Sequence, residues 1–359
     1  MKIFLKTYGC QANKADSEAI AGLLEEKGHQ LAQSESSADY IIVNSCSVKS
    51  STQSKELHYI QQQLKSKKII VGGCLTKTLN LRKIFPELSS VFDTNSLTKL
   101  PEILKNPHDE FSNEKESQRL QIPVMRQDAT TAIIPIGQGC QNSCTFCATK
   151  LARGNLKSYR IGDIKRAFRS AIDQGCTKIN LTSQDNGCYG FDIKTSLPEL
   201  LDKLTSIPGN YQIRVGMMNP WHLNKILPEL LSAYQSEKIF KFLHIPVQSG
   251  SKKVLKDMRR IHTAKEFKLA IIKFREKFST EMNIATDIIL GYPTESEKDF
   301  LATYNLIKET KPEVLNISMF SSRPGTQASR LKQLPSQIIK ERSRKITALY
   351  NSYRRKQNE

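Results

Sequence analysis

Short apolar runs alternate with amphipathic stretches from the first residues onward. "KIFLKTYGC" ends at Cys10, "DYIIVNSC" at Cys46 and "KIIVGGC" at Cys74. The unbroken apolar character of the last two predicts strands covered on both faces, as in parallel sheets. Between the first two runs, "ADSEAIAGLLEEKGHQL" places Ile20, Leu23 and Leu24 on one helical stripe, with Asp16 or Ser17 as the expected cap and Gly28 as the stop. "SVKSSTQSKELHYIQQQLKSK" repeats that periodicity in a more polar form. Strands alternating with helices predict a parallel-sheet α/β domain over residues 1–104. The carboxyl ends of parallel strands share one edge, where ligands bind. That topology is expected to bring Cys10, Cys46 and Cys74 together although they are far apart in sequence.

Residues 105–128 are polar and aperiodic and predict a linker. Alternation then resumes. Strands are expected at 131–136, 177–182, 212–217, 239–247, 282–291 and 314–320, with amphipathic helices between them, among them 161–175 and 224–235. Six such units predict an α/β domain of the partial (βα)6 barrel type over 129–335. Its chemistry is expected at the carboxyl ends of the strands. There the loops "GQGCQNSC", "SQDNGCYG", "MMNP", "PVQSGS", "GYPTES" and "SSRPGT" fall in phase. The last stretch, 336–359, predicts a basic helix or tail with Ile346, Leu349 and Tyr353 on one side.

Length and charge narrow the picture. A chain of 359 residues suits two domains, and 54 Lys and Arg against 35 Asp and Glu leave a net +19, which favours a polyanionic partner. The first residues lack the apolar core of a signal peptide, and no run is long enough for a membrane helix. A cytoplasmic protein without membrane attachment is expected, and there thiols stay reduced. Its eight cysteines then point to metal or catalysis and not to disulfides.

The densest chemistry is Cys140-x3-Cys144-x2-Cys147, directly after the first strand of the second domain. Three thiolates on a tight loop can hold three irons of a [4Fe–4S] cube and leave the fourth open to a reacting ligand. A structural zinc site is the rival, and it requires a fourth close ligand. Cys176 at a helix end and Cys188 in a later loop are not placed to supply one, and both read as reduced core or loop cysteines. Lys150, Arg153, Lys157 and Arg160 follow the loop and suggest a phosphate backbone.

The spacing resembles that of the radical SAM superfamily. "TYGCQANKADSE", "NSCSVKSSTQSK", "VGGC", "GCQNSCTFC", "HIPVQSGSKKVLKDMRR", "TDIILGYPTESEKDF" and "SSRPGTQAS" are similar to motifs of its methylthiotransferases, from residue 1 to about residue 350. "CTFCATKLARGNLKSY", "LTSQDNGCYG" and "VGMMNP" most resemble the archaeal and eukaryotic branch. That branch methylthiolates N6-threonylcarbamoyladenosine beside the tRNA anticodon. The resemblance implies two [4Fe–4S] clusters and S-adenosylmethionine (SAM). Cys140, Cys144 and Cys147 would hold the SAM-binding cluster, and Cys10, Cys46 and Cys74 an auxiliary one. One electron would cleave SAM to a 5′-deoxyadenosyl radical, which takes hydrogen from C2 of the modified adenine. Sulfur would come by way of the auxiliary cluster, and a second SAM would supply the methyl group. The implied partners are tRNA, a reductant protein and a sulfur donor, with the chain acting as a monomer.

Further assignments come from position within these motifs. Arg153, Gln184 and Asp185 are candidate catalytic residues. Gln184, Gln248, Ser249, Asp287 and Arg323 are candidates for holding SAM. Asp287 lies inside a strand, where an unpaired carboxylate is costly, so it is expected to have a partner. Asn13 and Asn44 are expected to brace the auxiliary cysteines, and Tyr189 either stacks on a base or packs its loop. Trp221 is expected to pack, and His262 stands where relatives carry an aromatic. The family's carboxyl-terminal RNA-binding β-barrel is expected to be absent, since the chain stops at Glu359. Two other readings remain open: the sister enzymes that modify a ribosomal-protein aspartate, and an iron–sulfur RNA-binding protein without catalysis.

Overall fold

The computed structural model describes residues 1–48, 50–112 and 119–358. By packing, the chain divides into two compact units: residues 1–141 with 147–184, and residues 142–146 with 185–359. The division passes through the cysteine loop and the expected barrel region, not through residues 105–128.

In the first unit, five parallel strands lie in the order Gln30–Leu31, Lys2–Thr7, Tyr40–Ser45, Lys68–Gly73, Ser90–Val91. Strand periodicity sorts the side chains onto two faces. Ile42 and Ile70 join Ile20, Leu24 and Phe92 in one core. Ile41, Val43, Ile69 and Val71 join Ile60 and Leu75 in the other. The whole of Tyr40–Ser45 is buried, as its unbroken apolar run predicts. The first helix starts earlier than expected, at Gln11, with Cys10 as its N-cap. Asp16 and Ser17 lie inside it because tertiary partners take their side chains: Arg119 and Arg153 bind Asp16, and Asn44 and Thr7 donate to Ser17 Oγ. Gly28 ends the helix region with φ +75°.

The expected linker is not loose where it is described. Glu110 bridges to Phe92, the Asp109 carboxylate accepts from Val91 N–H and Arg82, and Met125 N–H donates to the Glu18 carbonyl. Its polar residues are spent on these contacts, so aperiodicity marked an irregular path and not a free one. Residues 113–118 lie outside the described residues. The unit also contains the parallel pair Thr131–Pro135 and Lys178–Thr182, and a short antiparallel pair, Gly137–Gln138 with Lys157–Ser158, that the pattern did not suggest.

In the second unit, Phe242–His244, Asn283–Leu290 and Val314–Met319 form a parallel sheet in that order, and Gln212–Val215 precedes them in the chain. The expected strand at 239–247 shrinks to Phe242–His244. Pro246 has no N–H to donate, and the path regains the sheet only at Gln248, which bridges to Ile288 with φ +69°. The expected helix at 224–235 is two helices, Pro220–Lys225 and Leu227–Ala233. The Pro228 ring cannot follow Asn224 within one helix, because it would clash with that carbonyl. The final helix, Ser336–Asn358, buries Ile339, Ile346 and Tyr353 at seven-residue spacing and packs on Val314–Met319 and on helix Glu297–Thr310. Among the described residues no helix is long and apolar enough to cross a membrane.

Candidate metal centres

The three strand-end cysteines of the first unit converge on Asn13. Cys10 is the N-cap of helix Gln11–Glu26, Cys46 follows strand Tyr40–Ser45, and Cys74 follows strand Lys68–Gly73. The Cys10 and Cys74 thiols lie 3.9 and 3.6 Å from Asn13 Oδ1. Asn13 Nδ2 donates to the carbonyls of Tyr8 (3.0 Å) and Ser45 (2.6 Å). Asn44 Nδ2 donates to the Asn13 carbonyl and to Ser17 Oγ, both at 2.8 Å. The two asparagines therefore brace the cysteines as expected. Gly9, at φ +110°, is the close approach: a Cβ there would stand 2.9 Å from both Cβ and Sγ of Cys46.

Burial dominates the electrostatics of Cys46 and Cys74. It pushes the Cys46 thiol up to about 12, with Cys74, Cys10 and Glu56 adding in the same direction and a hydrogen bond from Val48 N–H opposing. It raises Cys74 as well, against the pull of Arg153. Thiolates so disfavoured need a cation, and a soft thiolate trio fits an iron–sulfur centre. The buried Glu56 carboxylate accepts the Cys46 N–H at 3.1 and 3.2 Å.

Arg153 belongs to this site. Its guanidinium, 4% exposed, donates to Cys74 Sγ (3.3 Å), Asn13 Oδ1 (3.0 Å) and Asp16 Oδ2 (2.5 Å). Burial alone would lower it, but Asp16, Cys74 and Cys10 carry it well above its ordinary value. The reading of the basic run as a phosphate contact is thus corrected in part. Arg153 faces inward, and Lys150 bonds the Cys140 carbonyl and Asn155, whereas Arg160 is exposed. Asp16 is the reason, since a buried carboxylate requires buried cations.

The residues of the Cys140, Cys144 and Cys147 loop are held within each unit separately. In the first unit, Cys140 N–H donates to the Gly154 carbonyl (3.2 Å), Gly139 N–H donates to Gln184 Oε1 (2.5 Å), and Cys147 caps helix Ala148–Arg153. In the second, Thr145 N–H donates to the Met258 carbonyl (3.1 Å), Thr145 Oγ1 shares a hydrogen bond with the Tyr292 hydroxyl (2.9 Å), and Arg260 Nη1 lies 3.8 Å from Cys144 Sγ. Three cysteines within eight residues give the donor set of a site-open iron–sulfur cluster. Gln184 thus serves the loop backbone.

Asp185 is buried and accepts from Gly187 N–H and Asn219 N–H at 3.0 Å each, from Asn142 Nδ2 at 3.3 Å, and pairs with His222 Nδ1 at 2.7 Å. Asp185, Cys188 and His222 offer atoms within 4.8 Å of one another. The Cys188 thiol donates to the Asp185 carbonyl at 3.2 Å, which makes the group a hydrogen-bonded core. The expected partner of Asp287 is His244, through Nε2. Gln248 is bound through its backbone to Asp287 and Ile289. The Ser249 hydroxyl is buried against Thr303 at 3.2 Å, and Arg323 is buried. Tyr189 is buried in its loop and Cys176 donates to the Ala129 carbonyl (3.5 Å). Trp221 packs on His222 and carries Lys225 at 4.2 Å over its ring.

Arg260, His222, His244, Glu56 and Asp16 were not singled out as site residues from sequence. Asp16, His244 and Arg260 lie within the quoted motifs "TYGCQANKADSE" and "HIPVQSGSKKVLKDMRR", whereas Glu56 and His222 lie outside them.

Known proteins place the chain in a family. The profile of the uncharacterized protein family UPF0004 matches residues 2–93, and that of the radical SAM superfamily matches residues 134–307. A probable threonylcarbamoyladenosine tRNA methylthiotransferase of Pyrococcus horikoshii is 42% identical over 357 residues, covering 96% of this chain and 82% of the relative. The human threonylcarbamoyladenosine tRNA methylthiotransferase is 35% identical over 365 residues, covering 98% of this chain and 63% of the human one. Among solved structures, the radical S-adenosylmethionine methyltransferase TsrM of Kitasatospora setae superposes with a TM-score of 0.67 at 13% identity, over 91% of this chain and 75% of that one. The cobalamin-dependent S-adenosylmethionine radical enzyme OxsB does so with a TM-score of 0.61 at 12% identity, over 98% and 56%. At such identities the likeness is one of fold, here mixed α/β with the partial barrel of radical SAM enzymes. With relatives of 35 to 42% identity along nearly its whole length, the chain belongs to the family of threonylcarbamoyladenosine tRNA methylthiotransferases, radical SAM enzymes.

Proposed function

We propose that this chain converts N6-threonylcarbamoyladenosine beside the tRNA anticodon to its 2-methylthio derivative, using two [4Fe–4S] clusters and SAM. The observation that carries the reading is the convergence of Cys10, Cys46 and Cys74 on Asn13. Radical formation alone needs only the Cys140, Cys144 and Cys147 loop. A second thiolate site supplies what sulfur insertion requires in addition. When bound, the clusters and SAM supply the radical, the sulfur and the methyl group.

The chain's own residues hold and orient. Cys140, Cys144 and Cys147 take the SAM-binding cluster, and Gln184 and Lys150 fix the backbone on either side of Cys140. Asp185 holds Asn142 of the same loop and is itself held by His222. Gln248, Asp287 and Arg323 are assigned to SAM, with His244 orienting Asp287, while Ser249, its hydroxyl held by Thr303, shapes the loop that follows Gln248. The net +19 draws the tRNA, whose phosphate contacts position it without reading sequence. A cytoplasmic monomer served by a one-electron reductant protein and a sulfur donor completes the reading.

The test is anaerobic turnover of the reconstituted chain with dithionite, SAM and tRNA carrying threonylcarbamoyladenosine, read by mass spectrometry of nucleosides and small products. The expected result is a nucleoside heavier by one methylthio group together with 5′-deoxyadenosine. Deoxyadenosine without that nucleoside would redirect the substrate assignment. Neither product from fully iron-loaded protein would overturn the catalytic reading.

A further inference from the structure

Helix Ala148–Arg153 joins two chemistries in the first unit. Cys147 opens it as N-cap and Arg153 closes it. The helix packs on the turn Cys74–Lys77, and Thr94 Oγ1 donates to the Ala152 carbonyl at 3.2 Å. Its last side chain therefore reaches Cys74 and not solvent.

The Asp16 carboxylate is shared by Arg153 and Arg119, and all three are buried. The Arg153 charge itself lies beside Cys74 in a low-dielectric setting, where its field is weakly screened. The Arg153 Nε–H is aimed at the Cys74 sulfur at 3.3 Å. Hydrogen bonds to ligand sulfurs and nearby cations both favour the more electron-rich form of an iron–sulfur centre. A residue so buried and committed has no surface left for RNA.

We propose that Arg153 sets the electron affinity of the group held by Cys10, Cys46 and Cys74, acting as a positioning residue through Cys74. The inference rests on the reading of that trio as a cluster site. The step it governs is the arrival of one electron, in the test from dithionite. No bond forms or breaks and no proton moves.

The test uses the full chain carrying Cys140→Ala, Cys144→Ala and Cys147→Ala, so that only the N-terminal trio can be loaded. After anaerobic reconstitution, iron and sulfide are counted and the midpoint potential is measured by dithionite titration followed by electron paramagnetic resonance. Arg153→Met is expected to disfavour reduction about tenfold, a downward shift of ~59 mV for one electron. Arg153→Lys, which keeps the charge, is expected to recover most of the shift. Asp16→Asn is expected to move the potential upward. A fully loaded Arg153→Met protein with an unchanged potential would overturn the proposal. If that variant fails to load, Asp16→Asn decides: an upward shift supports the role and an unchanged value overturns it. A background protein that takes up no iron overturns the trio as a cluster site, and the role of Arg153 with it.

Discussion

Asn13 Nδ2 donates to the Ser45 carbonyl at 2.6 Å, tying the first turn of helix Gln11–Glu26 to the end of strand Tyr40–Ser45. The same amide also holds the Tyr8 carbonyl, while its oxygen faces Cys74 and Arg153. One buried side chain thus spans the elements that carry Cys10, Cys46 and Cys74. Asn13→Ala strands two carbonyls, at a cost of about 1–3 kcal/mol. The expected outcome is a lower melting temperature and loss of iron from the N-terminal trio. Asn13→Asp, which keeps the shape but not the donor, is expected to lose as much. Normal iron content in both variants would remove Asn13 from the site.

Gly9 and Gly28 allow a sharper comparison. Both have positive φ, +110° and +75°. A Cβ on Gly28 meets nothing within 4 Å, whereas one on Gly9 would stand 2.9 Å from Cys46 Cβ and Sγ. Gly28→Ala should therefore show backbone strain alone, about 1–2 kcal/mol. Gly9→Ala should add a displaced Cys46. The measurement is the iron-to-protein ratio after reconstitution: Gly28→Ala is expected to load fully and Gly9→Ala to fall short. Equal loading would mean that Cys46 can shift without consequence.

The sequence made the strand-end placement of the three cysteines legible because it follows from topology: unbroken apolar runs imply parallel strands, and parallel strands share an edge. What it left unread is side-chain commitment over distance. Arg153 meets Asp16 across 137 positions, and no local pattern marks either as the other's partner. Asp16 has the chemistry of a cap and sits near a helix start, so propensity placed it there. The actual helix begins at Gln11 because the chain leaves Gly9 already turned. Asp287 shows the favourable case: the cost of a carboxylate in a strand demanded a partner, and His244 on the neighbouring strand is one.

His262 gives the second unit a pH signature. It is buried, and its ring pairs with the Val247 carbonyl at 3.1 Å. Burial first and Arg260 second push it from the ordinary 6.5 down to about 3, with the Val247 carbonyl opposing. The folded chain keeps this ring neutral while the unfolded chain protonates it below about 6.5. Its contribution is therefore complete above that pH and is lost as pH falls toward about 3. The loss approaches about 1.4 kcal/mol per pH unit. His262→Phe removes this component. From neutral to mildly acid pH the unfolding free energy of the native chain should fall relative to that of the variant. Parallel curves would show that His262 titrates alike in both states.

The last helix is built to be held on one side and to be charged on the other. Ile346 is fully buried, Tyr353 donates its hydroxyl to the Pro312 carbonyl (3.0 Å), Tyr350 donates to the Glu313 carbonyl (2.9 Å), and Arg342 pairs with Glu295 (2.7 Å). Lys340 and Arg344 are exposed between these anchors. Ile346→Ala should cost about 2–5 kcal/mol, as for other large-to-small core changes, and be read as a fall in melting temperature. Lys340→Ala with Arg344→Ala should leave melting almost unchanged and weaken tRNA binding instead. If both residues touch phosphates, the slope of log affinity against log salt becomes shallower by roughly 0.9 for each phosphate that is no longer neutralised. Formation of 5′-deoxyadenosine in the absence of RNA should not change. A slope unaltered by the double variant would mean that the RNA path lies on another face, with this helix serving only to close the core over strand Val314–Met319.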